Sequence, residues 1–245
     1  MASRRLPAAH QMHLPFTMAF QPIVDVERRE VFAHEALLRG LGGEGAMSIL
    51  SSVPNDQRYA FDQACREKAI ELAKSIGMQS LLSVNFLPNA LVDQVQCVRN
   101  TIAAAERAQF EVHRMIFEIT ETERVRDMSL LASTFHRMAH RGFMTAIDDF
   151  GAGFAGLELL AAFQPEVIKI DMSLVRDMHL HRPKRAIVRG LVGICRDLGI
   201  HVIAEGVEAP EEVQALRMLG VRLFQGFLFA RPAIAQEPPV RWLDD

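Results

Sequence analysis

Short apolar runs bounded by turn residues recur along the chain at 18–26, 31–38, 81–85, 115–119, 144–148, 167–170, 201–204 and 221–225. They are rich in β-branched and aromatic residues and too brief for helices, so they predict buried strands. Between them, apolar positions recur every three or four residues, which predicts helices over 56–76, 123–140, 184–198 and 210–219. Pro210 suits a first helical turn and Gly220 a stop, and Gly142 and Gly199 also follow helical patterns. Repeated strand–helix alternation implies a mainly parallel sheet, because parallel neighbours need crossovers. Eight strands in 245 residues fit a closed (β/α)8 barrel of the TIM type, with an open doubly wound sheet as the structural alternative. The first two strands differ from the rest. Only the short segment VERRE joins them, so they can form a hairpin in which one strand runs antiparallel. Residues 40–56 read as the long loop of the chain.

The polar residues in and just after the strands carry the chemistry. Glu35, Asn85, Glu118, Asp148, Lys169, Glu205 and Gln225 occur one per strand–helix unit. In a parallel barrel the strand ends face one rim, where side chains converge and catalysis takes place. Carboxylates and a carboxamide are hard oxygen donors, suited to Mg²⁺ or Mn²⁺ rather than zinc. The adjacent pair Asp148–Asp149 precedes Gly151 and Gly153. A chain turning at those glycines can aim both acids at one site, a platform for two cations clamping a phosphodiester. Lys169 is placed to orient the attacking water or to neutralise charge developing on phosphate. Any one of these acids alone would more simply be a helix cap or half of an ion pair. Burying several together without a cation is costly.

Composition removes some alternatives. The net charge of −3 is not that of a general nucleic-acid binder, so no DNA partner is expected. The N-terminal segment is basic but lacks an apolar core, and no uninterrupted apolar stretch predicts a membrane span. The three cysteines, Cys65, Cys97 and Cys195, show no metal-ligand spacing and suit reduced thiols in the cytoplasm. His136 and His140 stand four apart on a predicted helix, but no third ligand accompanies them. The basic tract 181–189 reads as a solvated helix start.

The same residues carry a signature that resembles the EAL family of cyclic di-GMP phosphodiesterases. EALLR at 35–39 resembles the motif that names the family. FQPIVD at 20–25, SVNF at 83–86, FEITE at 117–121 and AIDDFGAGFAGL at 146–157 follow in order, then VIKIDMSLV at 167–175, VIAEGVE at 202–208 and FQGFLFARP at 224–232. The resemblance implies a modified barrel with one antiparallel strand, a domain over 17–245 after a tail at 1–16, and hydrolysis of cyclic di-GMP to linear pGpG with Mg²⁺ or Mn²⁺. By position, Glu35, Asn85, Glu118 and Asp148 would hold one ion, and Asp148 would bridge to a second held by Asp149 and Glu205. Lys169 would contact the nucleophilic water. Gln21, Arg39 and Gln225 would meet the substrate, and Asp171 would sit near the second ion or the water. Glu121 would brace the glycine-rich loop and Glu208 would support the metal shell. Gly40, where the family often has an aromatic, and FAGLELL in the loop depart from the family pattern without removing a ligand.

A non-catalytic EAL module that senses cyclic di-GMP or binds a protein is the alternative; such modules usually lose ligands that this chain keeps. A homodimer is expected through the apolar tail of the glycine-rich loop, Phe154, Leu157, Leu159 and Leu160. Regulation would then come from a partner protein or from a sensor domain in a longer chain.

Overall fold

The computed structural model describes residues 14–87, 94–120, 127–153 and 156–243. It opens with the expected hairpin, β1 (Phe16–Asp25) and β2 (Glu30–Gly40), paired antiparallel from Phe16↔Gly40 to Asp25↔Glu30. Asp25 makes the turn. Its Oδ1 accepts the backbone N–H groups of Glu27 and Arg28, at 3.0 and 3.1 Å, as turn-forming aspartates do.

The chain then alternates. A one-turn helix α1 (Ala46–Leu50) and α2 (Arg58–Ser75) lead to β3 (Leu81–Asn85), and α3 (Gln94–Ala108) leads to β4 (Met115–Thr120). Next come α4 (Met128–Ala139), β5 (Met144–Phe150), α5 (Gly156–Ala162) and β6 (Val167–Ile170). The short α6 (Met172–Val175), α7 (Arg182–Asp197), β7 (His201–Ala204), α8 (Pro210–Arg217), β8 (Leu223–Phe224) and β9 (Ala233–Ile234) complete it. The sheet runs β2 to β8 with parallel neighbours and closes through β1, which is antiparallel to both β2 and β8. The expectation of a barrel with one antiparallel strand therefore holds. β9 lies outside it, paired with β1 at Ala19↔Ile234 and Phe20↔Ala233. Among the described residues, no helix is long and apolar enough to cross a membrane.

Two apolar regions hold the fold. The larger is the layer between strands and helices, centred on Phe20, Phe61, Phe117, Phe135 and Phe224. The smaller lies inside the barrel: Ile23, Ala33, Ile116, Ala146, Val167, Ile203 and Leu223, all buried. Each full-size aliphatic side chain in it contributes roughly 1.5–3 kcal/mol by leaving water. Of the residues expected to form a dimer surface, Leu159 and Leu160 belong instead to the larger core. Leu157 is 62% exposed, and Phe154 lies outside the described residues.

Candidate active site

The site stands one pleat above the barrel's apolar interior. Successive side chains of a strand point to opposite faces, so residues two apart share a face. Adding two to the interior residues gives Glu35 after Ala33, Glu118 after Ile116, Asp148 after Ala146 and Lys169 after Val167. It also gives Glu205 after Ile203 and Gln225 after Leu223. On the reversed strand β1 the step runs backwards, from Ile23 to Gln21, which is paired with Glu35. The polar ring is thus the second storey of an apolar one.

Lys169 is its centre. The Nζ lies 2.7 Å from Glu205 Oε1, 2.9 Å from Asp148 Oδ1, 3.1 Å from Glu35 Oε2 and 3.2 Å from Glu118 Oε2, and its side chain is 1% exposed. Burial by itself would lower the lysine's pKa, but the four surrounding carboxylates hold it well above the ordinary value. Burial pushes the Glu118 carboxyl up to about 8 and Glu205 well above the carboxylate range; the neighbouring acids add to both shifts and Lys169 opposes them. Three buried acids and the half-buried Glu205 around a single cation leave the ring short of positive charge.

Other polar groups orient the ring. Gln225 Nε2 donates to Glu35 Oε2 at 2.7 Å and to Gln21 Oε1 at 3.3 Å, while Gln21 Nε2 donates to the Ala230 carbonyl at 3.2 Å. Ser83 Oγ donates to Glu118 Oε1 at 2.5 Å, and Thr120 Oγ1 to Asp149 Oδ2 at 3.2 Å. Asp149 reaches the site because the β5–β6 register breaks between Ile147 and Phe150 and Asp149 itself takes φ +54°. The expectation had placed that turn on the glycines; Gly151 (φ +99°) does take part, but the aspartate carries the strain. Burial and the charge of Asp148 raise the Asp149 carboxyl.

Two overlapping donor groups result, Glu35–Glu118–Asp148 and Asp148–Asp149–Glu205. Each offers three carboxylate oxygens within 4.8 Å of one another. Asp148 is common to both groups, and its Oδ1 meets the Lys169 ammonium at 2.9 Å. Hard oxygen donors in excess of the one lysine beside them fit a divalent cation of the Mg²⁺ or Mn²⁺ kind. Asn85, in register with Glu118, is exposed just above the ring.

A cavity of about 240 Å³ opens over this ring, lined by Gln21, Glu35, Asp149, Glu205 and Gln225 on the ring side and by Asp171, Met172, Glu208 and Phe227 above. Its wall needs two glycines. A Cβ on Gly206 (φ +65°) would lie 2.4 Å from Met172 Cβ, and one on Gly226 2.0 Å from the Val207 carbonyl oxygen. Phe227 is 46% exposed, and the Arg231 guanidinium lies 4.2 Å from its ring centre.

The remaining expected residues are less central. Asp171 caps α6, accepting the Ser173 N–H at 2.9 Å. Glu208 stands at the cavity edge in a forked pair with Arg176, both contacts at 2.8 Å. Arg39 donates to the Leu38 carbonyl at 2.7 Å and is not part of the cavity lining. Glu121 lies outside the described residues. Sequence reasoning passed over Ser83, Thr120, Met172 and Phe227, which read as ordinary strand or packing residues. It also missed Glu212, which is fully buried and accepts the N–H groups of Asp177, Glu208 and Ala209, anchoring the loop after Glu205.

A family model described as EAL domain matches residues 5–232. A standalone versatile EAL protein from Vibrio cholerae O395, solved in its c-di-GMP bound form, superposes with a TM-score of 0.90 at 45% identity over 94% of this chain and 98% of that one. The blue light- and temperature-regulated antirepressor BluF of Escherichia coli K12 is 32% identical over 91% of this chain and 56% of its own length. The cyclic di-GMP phosphodiesterase PdeR of the same organism is 34% identical over 68% of this chain and 25% of its own length. The chain thus spans about half, or less, of the length of these two relatives.

Proposed function

The chain belongs to the EAL domain family, and on that premise we propose that it hydrolyses cyclic di-GMP to linear pGpG. The observation that carries this reading is the pair of carboxylate groups sharing Asp148 around the buried Lys169, open to a cavity. The Vibrio relative's bound ligand and the activity in PdeR's name support the choice of substrate.

In the proposed reaction a water oxygen attacks phosphorus, the bond from phosphorus to the ribose 3′ oxygen breaks, and that oxygen leaves with a proton. Glu35, Asn85, Glu118 and Asp148 would hold one Mg²⁺ or Mn²⁺, and Asp148, Asp149 and Glu205 a second. Bound there, the ions polarise the phosphate and make the water more acidic. In the metal-free ring Lys169 is held protonated, because its carboxylates raise its pKa. It therefore orients the water and offsets charge on the phosphate rather than removing a proton. Glu205 lines the cavity; as a ligand of the second ion it would be held as a carboxylate, able to take the water's proton. Gln225 holds Glu35 in position. Gln21, Gln225 and Asp171 meet the substrate, and Arg39 swings from the Leu38 carbonyl to grip a phosphate oxygen with its forked donors. The enzyme would act in the cytoplasm as a homodimer, under the control of a partner or a sensor domain.

The test is incubation of the purified chain with cyclic di-GMP and Mg²⁺ or Mn²⁺, with Glu35→Ala in parallel, and separation of products by chromatography. Formation of pGpG by the parent alone supports the reading. A parent that neither binds nor turns over the dinucleotide sinks it. The antirepressor relative favours a second reading, an EAL module that works by protein contact; metal-dependent binding of the dinucleotide without turnover would favour that one.

A further inference from the structure

A second polar network lies outside the barrel, behind β3. Arg66, on the inner face of α2, is 1% exposed, a costly place for a guanidinium unless every donor is used. Its Nη1 meets Asp62 Oδ2 and lies 3.4 Å from the Asn85 carbonyl oxygen. Its Nη2 donates to Gln63 Oε1 at 2.9 Å and its Nε to Thr101 Oγ1 at 3.3 Å. The Phe86 ring centre is 5.0 Å from its Cζ. Asp62 in turn accepts the backbone N–H of Leu87.

These contacts converge on three consecutive residues. Arg66 takes the carbonyl of Asn85 and covers the ring of Phe86, and Asp62 takes the N–H of Leu87. The Phe86 N–H is fixed from the other side by the Glu118 carbonyl at 2.8 Å. Asn85 is thus the last residue of a strand whose continuation is gripped at every backbone step. A bridge serving only to join α2 to α3 would need Gln63 and Thr101; it would not need Asn85 or Leu87.

We propose that the buried Arg66–Asp62 pair is a positioning clamp that sets Asn85 beside Glu118 as a donor to the cation site. This rests on the reading of that ring as a metal site. Neither residue touches substrate, and both act through the Asn85 backbone. Loss of such an outer partner typically weakens metal binding 10- to 100-fold.

The experiment measures Mn²⁺ affinity by titration calorimetry and by the electron paramagnetic resonance of free Mn²⁺, with the thermal midpoint of each metal-free protein beside it. Arg66→Lys keeps the charge but cannot span Asp62 and the Asn85 carbonyl together. Asp62→Asn tests the other arm, and serves alone if the lysine variant does not fold. Thr101→Val removes a bond to the same guanidinium on the α3 side and is the control. The clamp predicts roughly 10- to 100-fold weaker Mn²⁺ binding in Arg66→Lys and Asp62→Asn, with Thr101→Val binding as the parent does even if its midpoint falls as far. Parental affinity in the two clamp variants overturns the proposal, as does a loss in all three that follows the midpoint. A parent that binds no Mn²⁺ overturns the metal site and the clamp together. A parent that binds Mn²⁺ but makes no pGpG ends the phosphodiesterase reading while the clamp stands on its affinities.

Discussion

The interior floor of the barrel and the ring above it are built by the same strands, one pleat apart, and differ in almost every other respect. The floor, Ile116 and its neighbours, is apolar and closed. It is held by exclusion of water and dispersion, neither of which needs a counter-charge. The ring sets four carboxylates, three of them buried and that of Glu205 half-buried, against one lysine, an arrangement that burial opposes. The fold can tolerate the second because it has the first directly beneath. A step of two residues is enough to separate what stabilises the molecule from what it can do.

Three substitutions test that separation, and one labelling measurement samples a region outside it. Lys169→Met leaves the four carboxylates without their cation. It is expected to cost about 3–5 kcal/mol in the metal-free protein, read by urea unfolding in chelator, with excess Mn²⁺ restoring part. Unchanged stability would mean that the ring is not held by this charge. Ile116→Ala hollows the floor and should cost about 2–5 kcal/mol, while Mn²⁺ affinity of the folded protein stays within about twofold of the parent. A large loss of affinity would show that the two storeys are not separable. Asp148→Asn does the opposite. Turnover of cyclic di-GMP should fall by more than the roughly 100-fold that loss of an outer partner costs, and metal-free stability should hold or rise, since one repelling charge is gone. Cys195 samples a third environment, the apolar seam where α7 packs. Burial raises its thiol to about 11, so the folded protein keeps the proton through neutral pH and gives it up only as pH rises through that value. At pH 8 a disulfide reagent should label it slowly in the native protein and quickly in urea; fast native labelling would contradict the burial.

Most of the barrel was legible because its strands are buried on both faces and so read as unbroken apolar runs. The strand ends stood out because a polar residue recurs once per strand–helix unit, a repetition that no single helix cap or ion pair explains. What escaped did so for physical reasons. β9 is two residues long, too short for any period to show. No helix was expected over 94–108, although α3 is amphipathic there, with Cys97, Thr101, Ala104 and Ala105 on its buried side. Arg66 falls in a helix whose pattern would place an arginine in solvent; only the fold reveals that it faces inward. Leu159 and Leu160 look adhesive in sequence, and only their packing shows that they are already in use. The positive φ of Asp149 has no sequence cue, since glycine is the residue expected to turn left-handed.

The hairpin β1–β2 heads the barrel, but the other side of β1 is covered by β8 and β9. During vectorial synthesis on a ribosome, residues 16–25 are therefore made about two hundred residues before the partners at 223–234 that cover them. At ~5–20 residues per second that interval is tens of seconds, during which a curved, incomplete sheet presents a bare edge. Chaperone engagement of the nascent chain should be concentrated in that interval and end once residue 234 has left the exit tunnel.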